Sequence, residues 1–194
     1  TAVVTIKVFD SELDKHFLVG LDMRQLADGT WQITRINNLQ TLISERDQAF
    51  QNKLAELNKP VQKQIDDAIT VTPQKIFITS APYSGVIRLL QADLQLTNNA
   101  AKELQYFTGV LELYNADNEL FYSGNFASSK KLAAAQTQAY QFNWELNPFL
   151  TDDAKVMNSD FSKVTWKASL SSLTFADGST IELLTQLPVK TKTK

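Results

Sequence analysis

Cysteine is missing from all 194 residues, and histidine occurs once. The first absence removes thiolate nucleophiles, disulfides and thiolate metal ligands. The second leaves His16 alone, so a two-histidine metal site or a histidine relay cannot be assembled within one chain. A basic excess is missing too. Nineteen Lys and Arg stand against 21 Asp and Glu, a formal net charge of -2, which is not the balance of a surface that tracks nucleic-acid phosphates. No window approaches about 18 consecutive apolar residues, so no membrane-spanning helix is expected. The opening Thr1-Ala2-Val3-Val4-Thr5-Ile6 is neither a basic signal-type segment nor a Met start. A chain that begins inside an alternating strand reads as an excised fragment, and membrane contact is expected only through an anchor outside it.

Catalytic signatures are equally scarce. There is no G-x-S-x-G around a serine, and His16 beside Lys15 falls at an expected strand edge, so a Ser-His-Asp triad has no frame. The paired acids Asp66-Asp67 and Asp152-Asp153 are chain neighbours, which do not face each other on a helix. Asp66 and Asp67 sit near a helix C-terminus and read as a solvated face. Asp152 and Asp153 follow Pro148 and Thr151, as acids at the start of a short helix do. Asp160 is isolated, and the D-x-D-x-D-G calcium loop is absent. No catalytic, cofactor-binding or metal-binding residue is assigned, and no enzyme is expected.

What the chain does contain is a recurrent A-D-[GN]: Ala27-Asp28-Gly29, Ala116-Asp117-Asn118 and Ala176-Asp177-Gly178. Hairpin parity decides their meaning, because residues directly opposite share a face and apolar ones should meet. A two-residue Asp28-Gly29 loop would set Arg24 against Ile33, whereas a three-residue loop sets Met23 against Ile33. The same count sets Leu173 against Ile181 and Ser171 against Leu183. Three-residue loops need positive φ at the third position, which Gly supplies and Asn tolerates. The triplets therefore read as turns.

Residues 2 to 36 read as a three-stranded antiparallel meander: Ala2, Val4, Ile6 and Val8 alternate, then Phe17, Val19, Leu21 and Met23, then Trp31 and Ile33. From Leu39 to Ile69 the apolar spacing becomes helical. Asn37 with Gln40 resembles a capping box, with Asn38 the competing cap, and Pro60 is expected to split the run into helices over about 38–58 and 60–69. Strands are expected at roughly 75–79, 88–97, 105–114, 119–126, 137–146, 163–175 and 179–185. A change of apolar parity around Ser171-Ser172 implies a bulge. Trp31, Trp144 and Trp166 are expected to face inward. Phe121, Tyr122 and Phe126 beside Gly124 cannot all do so in a regular strand.

About seven short strands separated by turns are the pattern of an immunoglobulin-like sandwich. The expected fold is mainly β with α: a small antiparallel α+β unit with a long helix over 1–70, an immunoglobulin-like β-sandwich over 74–187, and a frayed tail over 188–194 carrying Lys190, Lys192 and Lys194.

Ala92-Asp93-Leu94-Gln95-Leu96-Thr97-Asn98-Asn99, followed by Phe107-Thr108-Gly109-Val110-Leu111-Glu112-Leu113-Tyr114-Asn115-Ala116-Asp117, resembles the FxLYD-type sandwich modules of bacterial envelope proteins and lipoproteins. It departs from that pattern with Asn115 at the acid position and Asn118 at the turn glycine. The resemblance, over about 90–146, implies an extracytoplasmic, non-catalytic binding or structural module with a protein partner in the cell envelope. Phe17 to Asn38 is similar to the closing hairpin of an uncharacterised family of membrane-anchored bacterial proteins, and to cystatin-like and NTF2-like sheets. The alternative function is a carrier, with a lipid or small ligand between the sheet face of Phe17, Val19, Leu21, Met23, Trp31 and Ile33 and the helix face of Phe50, Leu54 and Leu57.

Overall fold

A computed structural model describes residues 1–82 and 87–188; residues 83–85 of the turn expected at 81–85, and the tail lysines Lys190, Lys192 and Lys194, lie outside the described residues. The protein is mainly β with one long helix. It divides into two compact units, Pro60–Leu183 forming one, and Thr1–Lys59 with the segment from Leu184 forming the other.

In the first unit, β1 (Ala2–Asp10), β2 (Lys15–Gln25) and β3 (Trp31–Ile36) form an antiparallel sheet in the order β1-β2-β3. The first loop triplet is a three-residue turn: Met23 opposes Ile33, the Leu26 N–H donates to the Thr30 carbonyl at 2.8 Å, and Gly29 has φ of 84°. A bulge then skips Thr34, so Asp22 faces Arg35 while Met23 keeps Ile33. One register serves an ion pair and an apolar pair at once.

The helix α1 (Leu39–Ala68) brings Leu42, Ala49, Phe50 and Leu54 against Leu13, Phe17 and Leu187. Of the helix face postulated for a carrier cavity, Phe50 and Leu54 pack against this cluster and Leu57 is exposed. Trp31 departs from the inward placement its alternation suggested: it is 48% exposed. It stands opposite Gln25 at the start of the outer strand, away from the cluster around Phe17 that the helix covers. The expected caps behave differently as well. Asn38 accepts the Gly20 N–H and donates to the Leu18 carbonyl, and Asn37 donates to Asp22, so both side chains tie the start of the helix to β2.

Pro60 does not divide the helix, which runs unbroken from Leu39 to Ala68. A proline there removes the hydrogen bond to the Glu56 carbonyl. Glu56 and Pro60 are both exposed, so water can take the vacated acceptor.

The second unit is a two-sheet sandwich. One sheet is β4 (Ile69–Ser80), β5 (Arg88–Asn98) and β8 (Thr137–Leu146) in the order β4-β5-β8. The other is β6 (Leu104–Tyr114), β7 (Leu120–Ser128), β9 (Thr165–Phe175) and β10 (Thr180–Glu182) in the order β10-β9-β6-β7. A short helix α2 (Thr151–Met157) lies between β8 and β9 in sequence. Residues 70–74, between the helix expected to end at 69 and the strand expected at 75–79, belong to β4. It tolerates Pro73 because it is an edge strand with a bulge at the next residue, Gln74. Leu90, Leu94 and Leu96 share a core with Phe107, Leu111, Leu113, Leu170 and Leu173, all essentially without solvent contact.

The expected bulge is present at Ser171, where Thr108 opposes Ser172 and Gly109 opposes Leu170. A second bulge answers the aromatic question. Leu113 opposes Tyr122 and Tyr114 opposes Leu120, so Phe121 is the extra residue, and Phe121 and Tyr122 are both partly buried while Leu120 is exposed. Gly124 leaves room for the Trp144 indole, whose Nε1 donates to the Asn125 carbonyl at 2.7 Å. Trp144 and Trp166 both pack partly against the core.

Gly178 has φ of 80° with nothing within 4 Å of an added Cβ, so only backbone strain opposes a side chain there. Gly178→Ala should cost about 1 kcal/mol, and Gly178→Asn less, because Asn tolerates the left-handed region. Asn118 already does so, with φ of 60°. Urea denaturation of the two variants checks this; equal costs would place the strain elsewhere.

Candidate functional site

The acids that composition left as candidates are held by local geometry. Asp28 and Asp177 each close a turn, and Asp160 repeats the arrangement outside a hairpin. In all three, Oδ1 accepts both the backbone N–H and the hydroxyl of the residue two positions on, namely Thr30, Ser179 and Ser162. D-x-[ST] is therefore the readable signal, and its product is a self-bonded turn. Lys102 approaches Asp177 at 2.6 Å; that ammonium, then the Ser179 hydroxyl and N–H, hold the carboxyl far below the usual carboxylate range. The Ser162 hydroxyl and N–H lower Asp160, with Lys163 adding to them.

The others are dispersed. Asp67 pairs with Lys63 at 2.7 Å and Asp66 accepts from Gln62, both one turn earlier on the same helix. Asp152 pairs with Lys155, while Asp153 accepts the Asn147 N–H at 2.8 Å. His16 lies in the other unit, on β2, its ring 4.9 Å from that of Phe9. Among the described residues no group of three or more His, Asp or Glu could hold a metal ion.

A cleft of about 360 Å³ in the second unit lies between the loop after β6 and the segment after α2. Ala116, Phe121 and Val164 give it apolar walls, and Asp160 is the sole candidate acid among its lining residues. Its cations are engaged: Lys155 with Asp152 and Lys163 with Asp160. Asn115 is engaged too, accepting the Asp117 and Glu119 N–H groups and donating to the Glu119 carboxylate. Such a cleft shelters an apolar group and presents no nucleophile beside a base.

Sequence reasoning missed one buried polar residue. Asn98 has no solvent exposure. Its Nδ2 donates to the carbonyls of Lys102, Leu132 and Ala133, and its Oδ1 accepts the Ala100 N–H. The signal was parity, since Leu90, Ala92, Leu94 and Leu96 are buried on even positions and Asn98 continues them.

No family model matches the sequence, and no curated protein matches it. Among solved structures it is similar to a Bordetella pertussis protein described as ApaA, at 11% identity and TM-score 0.32, covering 60% of this chain and 88% of that one. A structural-genomics target is similar at 10% identity and TM-score 0.36, covering 60% and 80%.

Burial first, and the charge of Asp153 second, push Tyr122 up to about 12. A phenol whose folded-state pKa lies above its unfolded value of about 10 stabilises fully below that value and loses the contribution as pH rises through the folded one. Unfolding followed from pH 9 to about 12 should show this loss, and Tyr122→Phe should remove it. An unchanged profile in the variant would contradict the assignment.

Proposed function

We propose that the chain is a non-catalytic binding or structural module of a bacterial envelope protein, located outside the cytoplasm. The observation that carries the binding role is a contiguous apolar face on the first unit. Register puts Val4, Leu21 and Ile36 in one row across the sheet, Ala2, Met23 and Ile33 in another, and Ile6 beside Val19. Leu21 and Val19 are buried, whereas Val4, Ile6, Val8, Ile33 and Ile36 on the same face remain exposed. Scattered exposed apolar residues need no explanation, but a continuous group marks an interaction surface. The non-catalytic character is supported by the local bonding of Asp28, Asp160 and Asp177 within their own turns. The location rests on the resemblance of residues 90–146 to envelope modules.

Two arms test this on the full-length gene product. An alkaline phosphatase fusion, active only outside the cytoplasm, should be active. A photo-crosslinking residue at Ile33 should give covalent adducts in living cells, and one at the exposed Lys59 on α1 should not. An inactive fusion overturns the location. Absence of adducts at Ile33 overturns the binding role.

A further inference from the structure

We infer that β1 is a homodimerisation edge, pairing antiparallel with β1 of a second copy about a two-fold axis at Ile6. The inference rests on the binding-module reading and adds a second copy of the chain as a partner at the β1 edge.

β1 is an edge strand of nine residues, and among the described residues nothing pairs with its outer side. The direction of its free backbone groups follows from Gly20. That residue donates its N–H to Asn38 Oδ1 and accepts the Asn37 N–H on its carbonyl, so both groups point towards β3. Thr5 stands opposite Gly20. In an antiparallel ladder it is then in a non-hydrogen-bonded pair, with its own N–H and C=O directed outward. By alternation, Val3, Lys7 and Phe9 face outward with it.

Natural edges are blunted by charge, proline, bulges or shortness. The opposite edge, β3, has such protection: six residues, a bulge at Thr34, and Arg35 paired with Asp22 at 2.8 Å. From Ala2 to Phe9, β1 has no proline and Lys7 as its single charge. Its apolar side chains are open, with Val3 73% and Phe9 51% exposed.

Self-complementarity identifies a second copy as the occupant. Ile6 is the midpoint of Ala2–Asp10, so a two-fold there overlaps the whole strand. Val4 then meets Val8, Ile6 meets Ile6, Val3 meets Phe9, and Lys7 meets Thr5. Every apolar residue except Ala2 finds an apolar partner, and the two ammonium groups are not directly opposed. An axis at Lys7 would oppose them, and an axis at Thr5 would set Lys7 against Val3. The pairing also carries the Val19–Ile6 row of one copy into the Ile6–Val19 row of the other, making one six-stranded sheet with a common apolar face.

The absence of cysteine makes the test direct. Across a non-hydrogen-bonded pair the Cα atoms are about 4.5 Å apart, within disulfide reach. Lys7 and its symmetry mate are diagonal neighbours at about 7–8 Å, at or beyond that reach. Under mild oxidation the 194-residue Ile6→Cys chain should form disulfide dimers about tenfold faster than the Thr5→Cys or Lys7→Cys chains, because pairing raises the effective thiol concentration. Sedimentation equilibrium of the unsubstituted chain should show a concentration-dependent dimer. Thr5→Pro should abolish it while leaving the fold intact, since it removes an outward N–H on an edge strand. Equal oxidation rates, a monomer at every concentration, or a folded Thr5→Pro chain that still dimerises overturns the inference. Adducts at Ile33 to another protein alongside a monomeric chain would overturn the pairing and leave the module reading standing.

Discussion

Asn98 satisfies four backbone groups from a position without solvent access, and the second unit closes around it. Its own N–H reaches the Gln136 carbonyl at 2.9 Å, its amide reaches Lys102, Leu132 and Ala133, and its oxygen takes the Ala100 N–H. These partners lie in the connection from β5 to β6 and in the connection from β7 to β8. Both connections pass between the two sheets, so a single side chain fixes where the chain crosses. The Leu132 carbonyl also accepts the Leu104 N–H, which ties the first residue of β6 to the same point. Its neighbour Asn99 faces the other way, donating its N–H to the Ala68 carbonyl and its side chain to Thr70, and so closes the C-terminus of α1.

The aspartates, the paired cations and Asn98 of this unit are thus consumed by architecture, and Gln138 Nε2 is the buried side-chain atom left without a partner among the described residues. Aspartates fold back on their own turns, cations sit on carboxylates either one turn away, as Lys155 on Asp152, or across the unit, as Lys102 on Asp177, and Asn98 faces carbonyls. An active site keeps titratable groups near one another and incompletely matched until substrate arrives. Here the unsatisfied resource is of another kind: a continuous apolar sheet face and an unblunted strand edge in the first unit. Those are the materials of protein association, and they give the binding reading its physical content.

Turns were the most legible part of the sequence, because parity admits one loop length between apolar partners and the third loop residue must accept positive φ. The bulge at Ser171 was legible for the same reason, as a parity change inside one strand. Harder to read were elements decided by exposure. Pro60 was tolerated where it and Glu56 are both exposed, and Trp31 stayed outside because the helix covers a different part of the sheet. Asn37 and Asn38 carried the composition of a cap and were drawn to β2, Asn38 by the Gly20 N–H and Asn37 by the Asp22 carboxylate. Asn98 fell one residue past the strand expected over 88–97, and the core needed a donor at that point.

Native-state hydrogen exchange of Asn98→Asp gives the most direct test of the claim that this side chain locks the sandwich. The substitution keeps the shape, removes the donors and directs a carboxylate at three carbonyl oxygens, so burial without partners should cost about 3 kcal/mol or more. Amides of β5 and β6 should lose protection together by that amount at neutral pH, while those of β2 keep theirs. Protection in β5 and β6 within about 0.5 kcal/mol of the unsubstituted chain, the range of an ordinary surface change, would contradict the account.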